Sequence, residues 1–321
     1  ITGLKPTFGL IPLQGCIPLA SSLDVAGPMG VSARDCALLL GVLTNEPVHL
    51  PDGGGLHGLR IGVPFDLIEG PRVSEACRAA FSHALDDLGE LGAEVRDFPL
   101  PEHPTLVAAG SLIMLHEAFA DHRGRLAAHW DQYGRAFRRL AASAVAIPAE
   151  LYTRARGVAA DTTSRLLARM DAAPGIDMIA TPTWPNPARP YTQEILPGDE
   201  LNLTAAWNPT GFPALALPMG VDSEGLPLSL QLVGRPHSES TLLGVGAAYQ
   251  QVTTWHLRRA TPNPGQSVLP LPDADEHLGS HTPASDEQVG PHKPDSDETA
   301  NLLAAAGITP TATDLAVIGA M

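Results

Sequence analysis

Residues 59–98 contain a short apolar segment, then a helical segment, then a second short apolar segment. The stretch "LHGLRIGVP" predicts a strand over Leu59–Val63 that ends at Pro64. Apolar residues then recur at helical spacing from Cys77 to Leu91, and Gly92 is typical of the residue that follows a helix. The stretch "AEVRDFPLP" predicts the second strand. Because strands joined by a helical crossover normally lie parallel, this unit predicts an α/β fold built on a sheet.

The flanking segments add further strands and helices to this unit. Ser32 is predicted to begin a helix, and residues 105–170 are predicted to be largely helical, with His116 a structural residue within them. Three more strands are predicted at "IDMIATPT", "FPALALPMG" and "LPLSLQLVG", the last two joined by the turn "VDSEG". Ser238 is predicted to cap a helix that runs to about Trp255. Ligands bind at strand ends in such sheets, which favours residues 181–187 and 207–213 as the site.

The charge of the chain limits its partners. Its 321 residues carry a formal net charge of −15, which argues against a nucleic-acid partner because phosphate neutralisation dominates such binding. No apolar run is long enough to span a bilayer, so we expect no membrane partner and a cytoplasmic location. A sizeable core is expected, since 44% of the residues are hydrophobic.

The cysteines and histidines give no sign of a metal or redox centre. Three cysteines cannot make a disulfide framework, and we expect free thiols, with Cys16 a small buried residue. Widely spaced histidines in an acidic segment (His277, His281 and His292) are more typical of a solvated tail than of metal ligands. We therefore predict no metal and no cofactor.

The composition changes near Pro262. From Leu271 to Thr299 there are eight acidic residues and one lysine, with almost no large apolar side chains. Such a segment cannot bury a core. We predict a main body over residues 1–262, an acidic disordered linker over 263–296, and the start of a small helical segment over 297–321.

Common catalytic motifs are absent from the sequence. It has no Gly-x-Ser-x-Gly elbow, no Cys-x-x-Cys pair and no His-Glu-x-x-His. The chain has two lysines, Lys5 and Lys293. Lys5 is predicted to lie in an apolar turn and Lys293 in the acidic linker. Neither is placed next to a serine in a Gly-rich loop, which a Ser–Lys mechanism would need.

Two long blocks of sequence nevertheless resemble the amidase signature family. One is "ITGLKPTFGLIPLQGCIPLASSLDVAGPMGVSARDCALLLGVL", and the other runs from "DMIATPTWPNPA" through "WNPTGFPALALPMGVDSEGLPLSLQLVGRPHSESTLL". Their order and spacing match over about Ile1–Arg258. The resemblance implies a mixed sheet sandwiched by helices. It also implies amide hydrolysis by a serine nucleophile, a bridging serine and a lysine, with an oxyanion hole of backbone N–H groups.

The resemblance also places the family's catalytic residues. In the family all three precede "GLKPT", so none matches a position here, and we expect an N-terminally truncated amidase domain with no activity of its own. The "ASSLD" loop is expected to lie beside the nucleophile loop, and the "WNPTG" loop to line the acyl pocket. The substrate-site residues implied in these two loops are Ser21, Ser22, Asp24, Trp207, Asn208, Thr210 and Gly211.

Three functions remain open on the sequence. The first is hydrolysis of a small-molecule carboxamide by the complete protein, in which Trp184, Trp207 and Phe212 suggest an apolar or aromatic acyl group. The second is the glutamine-hydrolysing subunit of a tRNA-dependent amidotransferase. The third is a non-catalytic remnant or assembly module. A homo-oligomer is compatible with each.

Overall fold

A computed structural model describes residues 1–50, 55–190 and 201–259. Within these ranges the chain forms one mixed sheet and the helices that cover it. The strands are β1 (Thr2–Lys5), β2 (Met29–Gly30), β3 (Arg60–Val63), β4 (Glu94–Asp97), β5 (Met178–Pro182), β6 (Ala214–Val221) and β7 (Pro227–Gly234).

Eight α-helices occur in the described ranges, with 3₁₀ turns at Trp130–Gln132 and Trp255–Leu257. The helices are α1 (Ala33–Thr44), α2 (Phe65–Ile68), α3 (Glu75–Glu90), α4 (His103–His129), α5 (Arg135–Val145), α6 (Ala149–Asp171), α7 (Trp207–Thr210) and α8 (Glu239–Val252).

The sheet has the order β2-β1-β6-β7-β5-β3-β4. Strand β3 pairs in parallel with β4 and β5, whereas the remaining neighbours are antiparallel. The predicted β-α-β unit is therefore confirmed as β3-α3-β4, at one edge of the sheet. The antiparallel hairpin of β6 and β7 lies at its centre, as the turn "VDSEG" predicted.

Side chains alternate between the two faces of the sheet, as the pleat of a strand requires. Leu215, Leu217, Leu230 and Leu232 point to one face and pack with α1, α3 and α8 in the larger core. The other face carries α4, α6 and α7 over a second core. The predicted architecture, a mixed sheet sandwiched by helices, is confirmed.

Helix ends follow the sequence in one case and depart from it in another. Ser32 caps α1 through a reciprocal pair of hydrogen bonds with Asp35, as predicted. Ser238 does occupy the N-cap position of α8, as predicted, but its hydroxyl donates to the Arg235 carbonyl and makes no capping hydrogen bond to the helix. Helix α8 also stops at Val252, three residues before Trp255.

Three local predictions are corrected by the structure. Lys5 lies in strand β1, where it pairs with Ala214, and the turn begins after it. The segment predicted as the loop "WNPTG" forms the short helix α7, which Gly211 ends in the left-handed conformation at φ 69°. Cys16 is exposed rather than buried, whereas Cys36 and Cys77 are buried. Cys16 lies in a segment that forms neither helix nor strand.

The predicted linker at 263–296 and the helical segment at 297–321 lie outside the described residues, as do the tail histidines and Lys293. The main body is described as far as Arg259, so its boundary at 262 stays a prediction. No helix in the described ranges combines the length and apolar character needed to cross a membrane. Within the same ranges no group of three His, Cys, Asp or Glu side chains is arranged to hold a metal ion.

Candidate functional site

A row of small and polar side chains crosses the centre of the sheet on the α7 face. Gly3 on β1 pairs with Ala216 on β6, Ala216 pairs with Gln231 on β7, and Gln231 pairs with Thr181 on β5. Residues in register on neighbouring strands share a face of the sheet. Gly3 and Ala216 have too little side chain to fill the space above them, and they leave room for a cavity.

Gln231 anchors this floor to the wall above it. Its side-chain amide is buried and donates to Thr181 Oγ1 at 2.9 Å and to the Leu203 carbonyl at 3.0 Å. The same Leu203 carbonyl accepts a hydrogen bond from Trp207 Nε1 at 2.8 Å. The Leu203 carbonyl thus joins β7 and α7, and this contact helps to set the position of Asn208 on α7.

The cavity has a volume of about 240 Å³ and lies between this floor and α7. Its lining residues are Gly3, Lys5, Thr183, Thr204, Trp207, Asn208, Ala214, Ala216 and Gln231. The strands provide small residues together with Lys5 and Gln231, while α7 and the segment before it provide Thr204, Trp207 and Asn208. Such a lining suits a small organic molecule that presents a few hydrogen-bonding atoms.

Lys5 is the charged residue among those lining residues. Burial lowers the pKa of its ammonium to about 8, and this effect exceeds the opposing influence of the Glu239 carboxylate. Among the described residues the Lys5 ammonium makes one hydrogen bond, in which Nζ donates to the Pro6 carbonyl at a long distance of 3.4 Å. Its charge is therefore poorly compensated by the residues that the structure describes.

Thr183 contributes a second polar group with little compensation. It follows β5 directly, and its backbone N–H donates to the Ser229 carbonyl at 2.8 Å. Its hydroxyl oxygen is buried and has no hydrogen-bond partner among the described residues. A buried polar atom without a partner costs about 1–3 kcal/mol, so a ligand atom that reached it would relieve that cost.

The "ASSLD" loop lies against α4 and is held by hydrogen bonds. Ser22 Oγ donates to Glu117 Oε1 at 2.6 Å, and the Ser22 N–H donates to Glu117 Oε2 at 2.9 Å. Ser21 Oγ donates to Asp121 Oδ2 at 2.8 Å, one helical turn further along α4. Asp24 Oδ2 accepts from the backbone N–H groups of Leu19 and Ala20, which closes the loop on itself.

Glu117 is the buried centre of this contact. Burial raises the pKa of its carboxyl group, but the hydrogen bonds from Ser22, and then from Tyr152 and the Arg156 charge, outweigh it and the pKa is lowered. Glu117 is therefore held as a carboxylate. Neighbouring His116 stacks on Tyr152 with ring centroids 4.3 Å apart, in agreement with the structural role predicted for it.

Helix α4 connects the two loops named from the sequence. A Cβ added at Gly110 would lie 3.1 Å from the Pro209 ring, so α4 and α7 touch closely at this point. Glu117 lies seven residues further on, a distance of about 10 Å along a helix axis. The "ASSLD" loop and α7 thus share one rigid support, with the cavity beside α7.

Comparison with known proteins places this arrangement in a family. The sequence pattern of the family described as Amidase matches residues 1–243. The chain belongs to the amidase signature family. A glutamyl-tRNA(Gln) amidotransferase subunit of Chloroflexus aurantiacus (strain ATCC 29366 / DSM 635 / J-10-fl) is 36% identical over 81% of this chain and 60% of its own length. The chain thus spans about 60% of the length of the curated relatives it matches.

Solved amidase structures share the fold. One described as an amidase superposes with a TM-score of 0.70 at 29% identity, over 78% of this chain and 58% of the other. A glutamyl-tRNA(Gln) amidotransferase subunit of Thermotoga maritima gives a TM-score of 0.61 at 26% identity, over 79% of this chain and 58% of the other. The sheet and its two helical layers are therefore those of the amidase signature fold.

The seven residues that the resemblance to amidases implies at the substrate site fall into three groups. Trp207 and Asn208 line the cavity, although Trp207 is itself 1% exposed. Thr210 and Gly211 end α7: the Thr210 hydroxyl donates to the Trp207 carbonyl and accepts from the Phe212 N–H. The loop residues Ser21, Ser22 and Asp24 are engaged with α4 or with their own loop, and none of them lines the cavity.

Lys5 and Gln231 are the two long polar residues of the cavity lining that the sequence pattern does not predict. The pattern indicates a turn at Lys5 and an ordinary strand at Gln231. The signal that could have found them is alternation: Lys5 shares a face with Gly3, and Gln231 is a polar residue on a face otherwise expected to be buried. Of the aromatic residues expected near the acyl group, Trp184 and Phe212 do not line the cavity, and Phe212 is a core residue.

Proposed function

We propose that this chain is the part of an amide hydrolase that forms the substrate-side wall of the active site. Membership of the amidase signature family supports amide chemistry. The cavity beside α7 supports a substrate-binding role, because its small base and polar walls suit a compact carboxamide. The observation that carries the proposal is that Trp207 and Asn208 meet Gly3, Thr183 and Gln231 around one cavity.

The catalytic step of this proposal requires residues that the chain does not provide. By resemblance to the family, a serine attacks the amide carbonyl, a bridging serine and a lysine take up its proton, and the amine leaves with a proton returned to it. No residue here matches those three. The proposed share of this chain is to orient the acyl part, and by itself the chain is proposed to have no amidase activity.

The test uses a complete protein in which the missing length of the amidase domain is joined to this chain. Asn208→Ala is expected to raise KM or lower kcat toward a panel of small carboxamides, since it removes an amide from the cavity wall without removing core packing. Gln251→Ala, at an exposed position on α8, is the matched control and should behave as the unaltered protein. Unchanged kinetics for Asn208→Ala would reject the proposed site.

A second test examines this chain alone. A serine-directed fluorophosphonate probe should leave it unlabelled and label the complete protein. Turnover or labelling by the isolated chain would show that its nucleophile lies within these 321 residues. Absence of both from the complete protein would favour the third candidate, a non-catalytic assembly module.

The identity to amidotransferase subunits favours a second candidate substrate. The relatives at 34–37% identity are described as subunits of glutamyl-tRNA(Gln) amidotransferase. On this alternative the complete protein releases ammonia from glutamine within a complex. Release of ammonia from glutamine only when partner subunits and charged tRNA are present would support it. Hydrolysis of free carboxamides without partners would support the simpler amidase, as a monomer or a homo-oligomer.

A further inference from the structure

The charge of the cavity beside α7 favours a ligand that carries a negative charge as well as an amide. Lys5 is the one charged residue among the nine lining residues. Its side chain shares the cavity face of β1 with Gly3, because alternate residues of a strand point the same way. The only neighbours that compensate it within the described ranges are the Pro6 carbonyl, at 3.4 Å, and the more distant charge of Glu239 on α8.

Glu239 is itself engaged elsewhere. Its carboxylate accepts a hydrogen bond from the Thr7 N–H at 2.7 Å, and the residue is 6% exposed. No carboxylate of the described residues lies within ion-pairing distance of Lys5 Nζ, since none of the ion pairs formed there includes it. An ammonium in this position retains donors that a ligand oxygen can accept from.

The remaining polar groups are arranged for a small acceptor. The Thr183 hydroxyl, on the same cavity, has no partner among the described residues. Gln231, by contrast, uses its side-chain N–H groups on Thr181 and Leu203, so its amide is fixed in orientation. A cation and a spare hydroxyl together match a carboxylate, because both can donate to it and charge-assisted bonds are the stronger kind.

We propose that the cavity binds the carboxylate of a substrate that is a half-amide of a short dicarboxylic acid, with Lys5 as the residue that selects the anion. This inference rests on the proposed amide hydrolase function and names its substrate class. The volume of about 240 Å³ is below the ~300–1,000 Å³ of pockets for drug-sized ligands, in keeping with a chain of a few carbons.

The experiment compares three ligands of nearly equal size: succinamate, its neutral counterpart succinamide, and succinate. Lysine labelled with ¹³C at Cε gives two lysine signals, from Lys5 and Lys293, and Lys293→Arg assigns them. The indole ¹⁵N signal of Trp207 reports on the same cavity without depending on Lys5. At pH 7 succinamate should shift both the Lys5 and the Trp207 signals, with an affinity at least ten-fold higher than that of succinamide.

Variants at Lys5 decide whether the ammonium is the cause. In Lys5→Met the ten-fold preference for succinamate over succinamide should disappear when binding is measured from the Trp207 signal. In Lys5→Arg most of this preference should remain. In the unaltered chain the preference should also fall several-fold between pH 7 and pH 9.5 as Lys5 loses its proton, which provides a test that needs no variant. Glu239 is the other charged group acting on Lys5 across this range.

The outcomes separate this inference from the function on which it rests. Equal binding of succinamate and succinamide, or a preference that survives in Lys5→Met, would overturn the anion site and leave the amide site standing. Succinate binding as tightly as succinamate would support the anion site and count against recognition of the amide. Failure of all three ligands to shift either signal would overturn the inference.

Discussion

Ser22 Oγ donates to Glu117 Oε1 at 2.6 Å, across 95 positions of the sequence. Glu117 also accepts from the Ser22 N–H and from the Tyr152 hydroxyl, so one carboxylate joins the "ASSLD" loop to both α4 and α6. Each of these donors would be left without an acceptor if the carboxylate were removed. Glu117 therefore holds the loop in place on the helix that also supports α7.

Glu117→Ala is expected to lower the free energy of unfolding by about 3 kcal/mol, because it leaves several partly buried hydrogen-bond donors without an acceptor. Glu117→Gln keeps an acceptor and should cost less. The pKa of Glu117 is lowered in the folded chain, so its stabilising contribution is full above the unfolded value near 4.5 and is lost as the pH falls through the folded pKa. Urea denaturation across this acidic range measures both effects.

Asp121→Asn is the control for this prediction, because Asp121 contacts the same loop through Ser21 at an exposed position. Its cost should be within about 0.5 kcal/mol. Equal losses for Asp121→Asn and Glu117→Ala would mean that burial of the Glu117 carboxylate has no special role.

Lys5 gives a pH dependence of the same sign in the alkaline range, although here folding disfavours the charged form of the side chain. The pKa of Lys5 falls from the ordinary lysine value of 10.5 to about 8 in the folded chain. Between these two pH values the unfolded chain therefore binds more protons than the folded chain. Stability should therefore rise with pH from about 8 to 10.5 through this group. Lys5→Met is expected to be more stable than the unaltered chain at pH 7, and the difference between the two should shrink as the pH approaches 10.5. A constant difference would contradict the buried ammonium.

Two glycine substitutions should act in opposite directions. Gly211→Ala forces a side chain into the left-handed region, at φ 69°, with its Cβ 3.2 Å from Phe8 Cβ, and should cost about 1–2 kcal/mol. Gly124→Ala lies inside α4 with open space around it, and should add up to about 1 kcal/mol of stability. Thermal unfolding of both variants measures this, and a stabilised Gly211→Ala would show that α7 does not need its left-handed end.

The three thiols should differ in how fast they react, because they differ in accessibility. Cys16 is exposed, whereas burial raises the pKa of Cys36 and of Cys77 to about 11. Ellman's reagent should therefore modify one thiol per folded chain quickly and the other two only after unfolding. Cys16→Ser should remove the fast phase. A fast phase that remains in this variant would place an accessible thiol at Cys36 or Cys77.

Much of the secondary structure was predictable because its signals are local. The period of 3.6 in α3, the short apolar runs of β5 to β7 and the turn "VDSEG" each reflect neighbours a few residues apart. Ser32 caps α1 with a partner three residues away, and that prediction is confirmed. Ser238 has the same local pattern, but its hydroxyl meets the Arg235 carbonyl instead, a choice that sequence spacing does not resolve.

The sequence by itself determined that the chain is an α/β domain with a parallel unit at one end, and its motifs placed it with the amidases. Tertiary structure decided where the cavity lies and what lines it. Gly3, Thr183, Ala216 and Gln231 come from four different strands or strand ends and meet because of strand register, which depends on hydrogen bonds between distant segments. The same pairing places Lys5, predicted in a turn, on the charged wall of that cavity, since burial and charge are set by what packs around a side chain and not by its sequence neighbours.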